Sequence, residues 1–375
     1  MVQLNFETTI KMQAYTMKTY TDSKHSTRYN FVVIGAGGTG GHLIPNLVRQ
    51  VGVYNSELGE DDIKHSVLVV DADEVERSNL IRQNFTSGDL GKNKAKVMAT
   101  RYGRAFGVDV GYVESYITSP KELILMTANA LSVQSKIDVF YGKGQIAENE
   151  AHPEKHMSLR SEIVTVFIDA TDNNKTRFII EEAARRWDGE AIVLSSGNEA
   201  SAGQVLFSAF PKNSTYKTFP HYWDTDKMFV ETGLITSPSF FDVFPNSPFE
   251  KLPTEMSCAE STVSAPQNMI ANVTASNILF NYVNKLLAFE PIQVFLTFFD
   301  TQGMTQSVYR FNKTDMTRAL QLTPNNRSLA TYVTGESNGD DVCRPTWSDF
   351  EEARLKEEQT KAEEISRVLA GISHS

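Results

Sequence analysis

Three glycines near the start of the sequence can bring the backbone close to a phosphate group. Gly35, Gly37 and Gly40 form the spacing G-x-G-x-x-G between an apolar run that ends at Ile34 and a segment with helical periodicity. Glycine lacks the side chain that would keep a phosphate away, and a helix N-terminus attracts negative charge. A plain tight turn between a strand and a helix would use the same glycines. The segment by itself leaves both interpretations open.

The block from Val70 to Phe85 indicates which phosphate chemistry is involved. Asp71 ends a β-branched run, where a carboxylate can hold the hydroxyl groups of a ribose. Further along, Asn79, Arg82 and Lys94 offer donors and positive charge to a polyphosphate. Hydride transfer needs no such clamp. Adenylyl transfer does, because negative charge builds up on the α-phosphate and on the departing pyrophosphate.

A nicotinamide-binding protein is an alternative explanation for the glycines. Such proteins carry an acidic residue about 20 residues beyond them, whereas Asp71 follows Gly40 by roughly 30 residues. The polar stretch from Asn55 to Lys64 can account for the extra length. The spacing therefore weakens the nicotinamide interpretation without excluding it.

A third block of polar residues follows another apolar run. Asp169, Asp172 and Asn173 come directly after Ile168, and Arg177 lies four residues beyond Asn173. Either Asp172 or Asn173 can cap the helix that the following pattern predicts, because both side chains accept hydrogen bonds from free backbone N–H groups.

The sequence contains only two cysteines, Cys258 and Cys343. Two are too few for a disulfide framework or for a four-cysteine zinc site. Any cysteine chemistry must therefore depend on one thiol. The histidines show neither a Ser-His-Asp order nor an H-E-x-x-H helix, so we expect them to be surface or core residues.

Taken together, these blocks resemble the ThiF and MoeB proteins and the ubiquitin-activating enzymes. The pattern D-x-D-x-V-x-x-S-N-L-x-R-Q, followed by G-x-x-K, begins at Asp71, and D-x-x-D-N-x-x-x-R begins at Asp169. The segment Ser257-Cys258-Ala259-Glu260 is similar to the S-C-A-E-A-G-V segment of MoeB-like enzymes. The resemblance covers about residues 30–287 and keeps the order of all four blocks.

The resemblance implies an enzyme that uses ATP to adenylate the C-terminal carboxylate of a ubiquitin-like or sulfur-carrier protein ending in Gly. It implies Mg²⁺ held by Asp172, transfer of the activated carrier to Cys258 as a thioester or acyl-persulfide, and a twofold homodimer. Catalysis is assigned to Arg82, Lys94, Asp172 and Cys258. Nucleotide binding is assigned to Gly35, Gly37, Gly38, Gly40, Asp71, Asn79, Arg82, Gln83, Lys94, Asp172 and Asn173.

Three features depart from the family pattern. The paired C-x-x-C zinc ligands are missing, so we expect no structural zinc. The R-Y-x-R-Q segment that supplies an arginine to a neighbouring subunit is reduced to Arg28 and Tyr29. The segment near 120–160 and the tail after 336 have no counterpart in minimal bacterial enzymes, and the combination most resembles the ThiF-family protein of PRTRC-type gene clusters.

Other functions stay open at this stage. The same fold could activate a small molecule, a peptide terminus or a tRNA base. A catalytically silent scaffold is a further alternative, but inactive partners of activating enzymes lose phosphate-binding residues, whereas this chain keeps Arg82, Lys94 and Asp172.

Composition narrows the classes of partner. The chain has 375 residues and a net charge of −10, which repels nucleic acids and anionic membranes. No apolar run reaches the roughly 18 residues needed to span a bilayer, and the N-terminus does not look like a secretory signal. We therefore expect a cytoplasmic protein that binds neither nucleic acid nor membrane.

The elements that must position these residues alternate between strands and helices, which predicts a parallel sheet with helices on both faces. The resemblance implies a Rossmann-like ATP-binding adenylation domain whose mainly parallel sheet is extended by antiparallel strands. We predict a flexible arm over 1–28, this domain over 29–335 and a charged helix over 336–375. Within the domain, we predict a helical and polar insertion near 120–161 and a crossover loop near 211–262. Strands are predicted at 30–34, 67–70, 110–117, 163–168, 191–194, 204–210, 293–299 and 306–311.

Overall fold

The computed structural model describes most of the segment that carries the motifs. All described residues belong to the first of two units into which the chain divides, Met1–Gly335 and Glu336–Ser375. Several predicted segments lie outside the described residues: the arm up to residue 26, the insertion after residue 130, most of the crossover loop and the terminal helix. Cys258 and Cys343 also lie outside them. The described ranges are 27–59, 63–130, 162–210, 237–244, 268–290, 292–311 and 313–321.

One eight-stranded sheet forms the centre of this structure. Its strands are β1 (Thr27–Ile34), β2 (Ser66–Val70), β3 (Val110–Val113), β4 (Glu162–Asp169), β5 (Glu190–Asn198), β6 (Ala202–Phe210), β7 (Val294–Asp300) and β8 (Thr305–Arg310). They lie in the order β3-β2-β1-β4-β5-β6-β7-β8. The first five are parallel to one another, and β6, β7 and β8 continue the sheet with antiparallel pairing. The predicted fold class is confirmed.

Helices cover the sheet. They are α1 (Gly38–Ser56), α2 (Lys94–Phe106), α3 (120–130 in the described part), α4 (Asn174–Arg186), α5 (Phe240–Val243), α6 (Met269–Leu287) and α7 (Lys313–Gln321). Helix α1 packs against α2 and α6, whereas α4 packs on β4 and β5. The crossovers from β1 to β2 and from β4 to β5 run in opposite directions, so right-handed connections place α1 and α4 on opposite faces.

The central strands of the sheet contain continuous apolar runs in the sequence because their residues are buried on both faces. Phe31, Val32 and Val33 of β1 are fully buried, as are Val166 and Phe167 of β4. Helices cover both faces of a parallel sheet, so both side-chain directions of such a strand need apolar residues.

Several predicted strand ends were wrong, among them that of β5, which continues to Asn198 instead of ending at residue 194. Two further differences follow from strand pairing. Strand β1 begins at Thr27, inside the predicted arm, because it pairs with β4 along its whole length from Thr27 opposite Glu162. Strand β3 ends at Val113 instead of residue 117, because β2, its only neighbour among the described strands, ends at Val70 opposite Val113. In both cases the partner strand decides the length.

A topological switch point lies between β1 and β4. From β1 the chain moves outward to β2 and β3 on one side, while β4 and β5 extend the sheet on the other. Ligands of open parallel sheets bind in the crevice at the carboxyl ends of the strands beside such a point. The predicted motif residues Gly35, Asp71 and Asp172 all follow the carboxyl ends of these strands.

A buried histidine just before β2 should make the stability of the fold depend on pH. The Nδ1 atom of His65 accepts a hydrogen bond from the backbone N–H of Tyr29 at 3.1 Å, and its ring stacks on the Tyr29 ring. Burial, together with the nearby positive charge of Arg28, lowers the pKa of His65 to about 4. The imidazole is therefore neutral in the folded chain at pH 7.

We expect the chain to lose stability between about pH 6.5 and pH 4. The unfolded chain takes up a proton on His65 near pH 6.5, while the folded chain resists it until about pH 4. The free energy of unfolding should fall by about 2–3 kcal/mol between pH 7 and pH 4.5 from this residue alone. Urea titrations at both pH values measure it, with His65→Gln as the non-titrating control. An equal loss in the variant would contradict the assignment to His65.

Candidate active site

The glycine loop after β1 is packed too closely for side chains. Gly35 has a φ of 92°, and a Cβ there would lie 2.8 Å from the carbonyl oxygen of Ala170. A Cβ on Gly40 would lie 1.9 Å from the Gly35 oxygen. The Gly35 N–H donates to Val70 at 2.9 Å and the Ala170 N–H donates to Ile34 at 2.9 Å, so the ends of β1, β2 and β4 are joined here.

The N-terminus of α1 opens at this loop without a side-chain cap. Gly37 occupies the N-cap position, and the first helical hydrogen bond runs from the Gly41 N–H to the Gly37 oxygen at 3.0 Å. The N–H groups of a helix's first turn have no partner within the helix, so this end offers donors and a positive dipole to an anion.

The second motif block also supports α1 itself. Pro45 lies inside the helix and has no N–H, so the Gly41 carbonyl oxygen lacks its normal helical donor. The Nδ2 of Asn84 donates to that oxygen at 3.2 Å and to the Tyr102 hydroxyl at 2.9 Å. This contact holds the motif segment against the glycine-loop helix.

Asp71 lies beside the glycine loop, as the order of the strands predicts. Its Oδ2 accepts from the backbone N–H of Ala36 at 2.7 Å, and its Oδ1 accepts from that of Asp73 at 2.9 Å. Burial raises the pKa of Asp71, while the positive charge of Lys94 acts in the opposite direction. Both oxygens keep free lone pairs that can accept ribose hydroxyl groups.

Lys94 is the first residue of α2, and its ammonium group pairs with Asp73. The Nζ–Oδ2 distance is 2.9 Å, and the Tyr116 hydroxyl donates to the other oxygen of Asp73 at 2.6 Å. Burial alone would raise the pKa of Asp73, but Lys94 and the Tyr116 hydrogen bond lower it overall. Asp73 was not among the predicted site residues, although it is the second aspartate of the D-x-D pattern, and no motif pointed to Tyr116.

The three residues around the turn at 77–83 have different environments. Asn79 is buried, and its Oδ1 accepts from the Glu76 N–H at 2.9 Å, so it also shapes the turn. Arg82 is half-buried, and within the described part of the chain no carboxylate pairs with its guanidinium group. The Gln83 amide lies 3.5 Å from the Cβ position of Gly37, and its buried Oε1 has no hydrogen-bond partner among the described residues.

The structure decides which residue caps α4. Asn173 is the N-cap, and its Oδ1 accepts from the Thr176 N–H at 2.9 Å. Asp172 is exposed, and no described residue pairs with its carboxylate. No group of three or more His, Cys, Asp or Glu residues gathers into a metal cluster within the described ranges. A single free carboxylate suits Mg²⁺ that takes its remaining ligands from phosphates and water.

The other two charged residues of the third block form a buried ion pair. The Nε of Arg177 lies 2.7 Å from the Oδ2 of Asp169, and both side chains are almost inaccessible to solvent. Arg177 also donates to the Thr171 and Ser196 carbonyl oxygens, at 3.1 Å and 2.7 Å. The pair therefore shapes the loop between β4 and α4 from which Asp172 projects.

An open pocket of about 320 Å³ lies farther along the same edge of the sheet. The turns between β5 and β6 and between β7 and β8 form it, with Glu199, Gln204, Asp300 and Ser307 in its lining. Its link to the glycine loop is Asn198 at the end of β5, whose Oδ1 accepts from the Thr39 hydroxyl of α1 at 3.3 Å.

Most of the predicted site residues lie at or beside the glycine loop. The glycines, Asp71 and Gln83 are in contact around one loop, and Lys94 reaches this group through Asp73. Arg82 adjoins Gln83 in the chain, and Asp172 follows the β4 end that packs on Gly35. Cys258 lies outside the described residues. No helix within the described ranges has both the length and the apolar character needed to cross a membrane.

Several solved structures are similar to part of this chain. Escherichia coli MccB with ATP is 12% identical over 77% of this chain and 65% of that chain, with a TM-score of 0.43. MccB with MccA-N7isoASN is 14% identical over 76% of this chain and 64% of that one, with a TM-score of 0.41. PaaA is 15% identical over 77% and 65%, with a TM-score of 0.42. The chain spans less than two thirds of the length of these structures.

The comparison of sequences assigns the family. Among curated proteins, none matches the sequence. The model of the ThiF family matches residues 14–327, which is most of the chain and contains all four motif blocks. The family predicted from those blocks is therefore confirmed, and this chain belongs to the ThiF family.

Proposed function

We propose that this chain is an ATP-dependent adenylating enzyme that activates the C-terminal carboxylate of a ubiquitin-like or sulfur-carrier protein ending in Gly. The observation that carries the proposal is the arrangement at the switch point. A glycine loop with an open helix N-terminus packs between the strand ends that carry Asp71 and Asp172. Such a site offers donors for phosphates, a carboxylate for the ribose and a free carboxylate for a metal.

Each part of MgATP has a matching group in this proposal. The Asp71 carboxylate accepts the ribose hydroxyl groups, and the N-terminus of α1 faces the phosphates. Asn79, Arg82, Gln83 and Lys94 supply further donors around them. Asp172 would hold Mg²⁺, which neutralises charge on phosphate oxygens when it is bound. Asn173 contributes indirectly in this scheme, since its side chain caps α4 beside Asp172.

The reaction depends mainly on positioning. The carrier carboxylate attacks the α-phosphorus, an acyl-phosphate bond forms, and pyrophosphate leaves. Lys94 and Arg82 stabilise the negative charge that develops on the phosphate oxygens. Holding the two anionic reactants in line supplies much of the rate, because it removes the entropy cost of their encounter. The pocket between the β5–β6 and β7–β8 turns offers room on the same edge for the tail that precedes the carboxylate.

We assign the second step to Cys258. Its thiolate attacks the acyl carbon, the bond to AMP breaks, and a thioester forms; a persulfide on Cys258 would give an acyl-persulfide instead. The chain offers a reason to expect proximity, since α6 begins at Met269, eleven residues after Cys258, and its Asn272 contacts the glycine loop at Gly38.

The order of the two steps gives a prediction for Cys258. With a cognate carrier, Cys258→Ala should keep ATP–pyrophosphate exchange within about twofold of the parent chain, because adenylation precedes any attack by the thiol. The same variant should form no thioester, which non-reducing gel electrophoresis detects as a carrier adduct sensitive to dithiothreitol. Cys343→Ala is the matched control and should form the adduct. Loss of exchange in Cys258→Ala would contradict this order.

The carrier itself is identified by the same exchange assay. Four parallel reactions distinguish the proposed substrate from the alternatives. They contain a β-grasp protein ending in Gly, a short peptide, a tRNA or no acceptor. Exchange with none of them, together with no binding of ATP, would favour a scaffold.

We also expect a twofold homodimer in the cytoplasm, which light scattering and cell fractionation can check. The likeness to PRTRC-type proteins is tested by whether a β-grasp gene lies beside this one.

A further inference from the structure

We propose that Tyr116 and Asp73 position the ammonium group of Lys94 for contact with the nucleotide phosphates, which makes Tyr116 a further positioning residue of the site. This inference rests on the proposed function. Tyr116 follows β3 and lies outside all four motif blocks. The structure nevertheless links it to Lys94 through two short contacts to one carboxylate.

The carboxylate of Asp73 is the centre of this arrangement. Its Oδ1 accepts from the Tyr116 hydroxyl at 2.6 Å, and its Oδ2 accepts from the Lys94 ammonium at 2.9 Å. Its backbone oxygen accepts from the Lys94 N–H at 2.8 Å. Asp73 therefore fixes both ends of residue 94, the start of α2 and the charged tip of the side chain.

The pairing differs from an ordinary surface ion pair. The Lys94 side chain is only 9% exposed, whereas that of Asp73 is 47% exposed. A lysine has four flexible side-chain torsions, and burying it in one conformation requires a partner that holds the ammonium in place. Asp73 is that partner, and the Tyr116 hydroxyl restrains Asp73 in turn. The positive charge of Lys94 also acts on Asp71, whose carboxylate accepts from the Ala36 N–H of the glycine loop.

This geometry has a consequence for nucleotide binding. In this proposal, a polyphosphate at the α1 N-terminus beside Asp71 shares or takes over the Lys94 ammonium. The Asp73 carboxylate then loses part of its positive partner, and the Tyr116 hydroxyl remains to stabilise its charge. Without that hydroxyl, we expect Lys94 to stay paired with Asp73 more strongly and to serve the phosphates less well.

The test is a double-mutant cycle on the full-length chain. Tyr116→Phe should weaken ATP binding and lower the exchange rate by about tenfold, the effect of removing one hydrogen bond to a charged group. In a Lys94→Met background, the same change should alter ATP affinity by less than about twofold, because its target is gone. Calorimetry measures affinity in all four proteins. Tyr112→Phe is the matched control, since this β3 tyrosine is also exposed but lies near Lys96 instead.

Three outcomes would overturn the inference. Equal losses in both backgrounds would show that Tyr116 acts without Lys94, for example by contacting the base. No loss in either would show that the hydrogen bond is dispensable. A large fall in the melting temperature of Tyr116→Phe relative to Tyr112→Phe would indicate a structural role. If the parent chain itself binds no ATP, the proposed function fails instead, and the two failures are thereby distinguished.

Discussion

Asp172→Asn should lower ATP–pyrophosphate exchange by on the order of 1,000-fold, because we propose that this carboxylate holds Mg²⁺, and a bound metal ion contributes several kcal/mol of transition-state stabilisation. The carboxylate is exposed at the switch point, and no described residue neutralises it. The asparagine has nearly the same shape but no charge with which to hold Mg²⁺. The loss should therefore appear in the rate and in the Mg²⁺ dependence together.

Two measurements give this prediction its specificity. Binding of AMP should change by less than about threefold, since the glycine loop and Asp71 hold the nucleoside part in our proposal. Asp109→Asn is the matched control, because Asp109 is exposed just before β3 at the opposite edge of the sheet. Exchange at the parental rate in Asp172→Asn would refute the assignment of the metal to this residue.

Arg177→Leu should reduce the free energy of unfolding by about 3–5 kcal/mol. The substitution leaves the fully buried Asp169 carboxylate without its cation, although Ser195 and Thr171 still donate to it at 2.7 Å each. It also removes the donors to two buried backbone carbonyl oxygens. A loss of this size should unfold a chain of marginal stability near 37 °C.

The same helix provides a control. Arg186 of α4 pairs with Glu182 at 3.0 Å, but its side chain is 50% exposed. Arg186→Leu should change the free energy of unfolding by less than about 0.5 kcal/mol, because exposed ion pairs contribute little. Urea titrations of both variants make the comparison. Similar values for the two would contradict the structural role of the Asp169–Arg177 pair.

Periodic apolar segments explain why much of the fold could be predicted. The central residues of β1, β2, β4 and β5 form apolar runs because helices cover both faces of the sheet there, and every predicted strand has a counterpart. The strand ends were less predictable. The length of β3 depends on where β2 stops, and residues 114–117 carry no local signal of that limit.

In the candidate site, too, some features could be predicted from the motifs, whereas others depend on contacts in the folded chain. The spacing of the glycines predicted a close backbone approach, which the overlap between a Gly40 side chain and the Gly35 oxygen explains. Whether Asp172 or Asn173 caps α4 could not be decided from spacing, because both side chains can accept the same hydrogen bond. The folded loop decides it, with Asn173 turned inward and Asp172 outward.

The sequence by itself determined the family, the parallel sheet and the residues gathered at its carboxyl edge, because these depend on local periodicity and on spacing along the chain. Only the tertiary structure decided which charged groups are occupied and which are free. Arg177 forms an ion pair with Asp169, and Lys94 forms one with Asp73, whereas no residue in the described ranges pairs with Asp172. Such pairings join residues from different elements, so their energies depend on distances and burial that exist only once the sheet has formed.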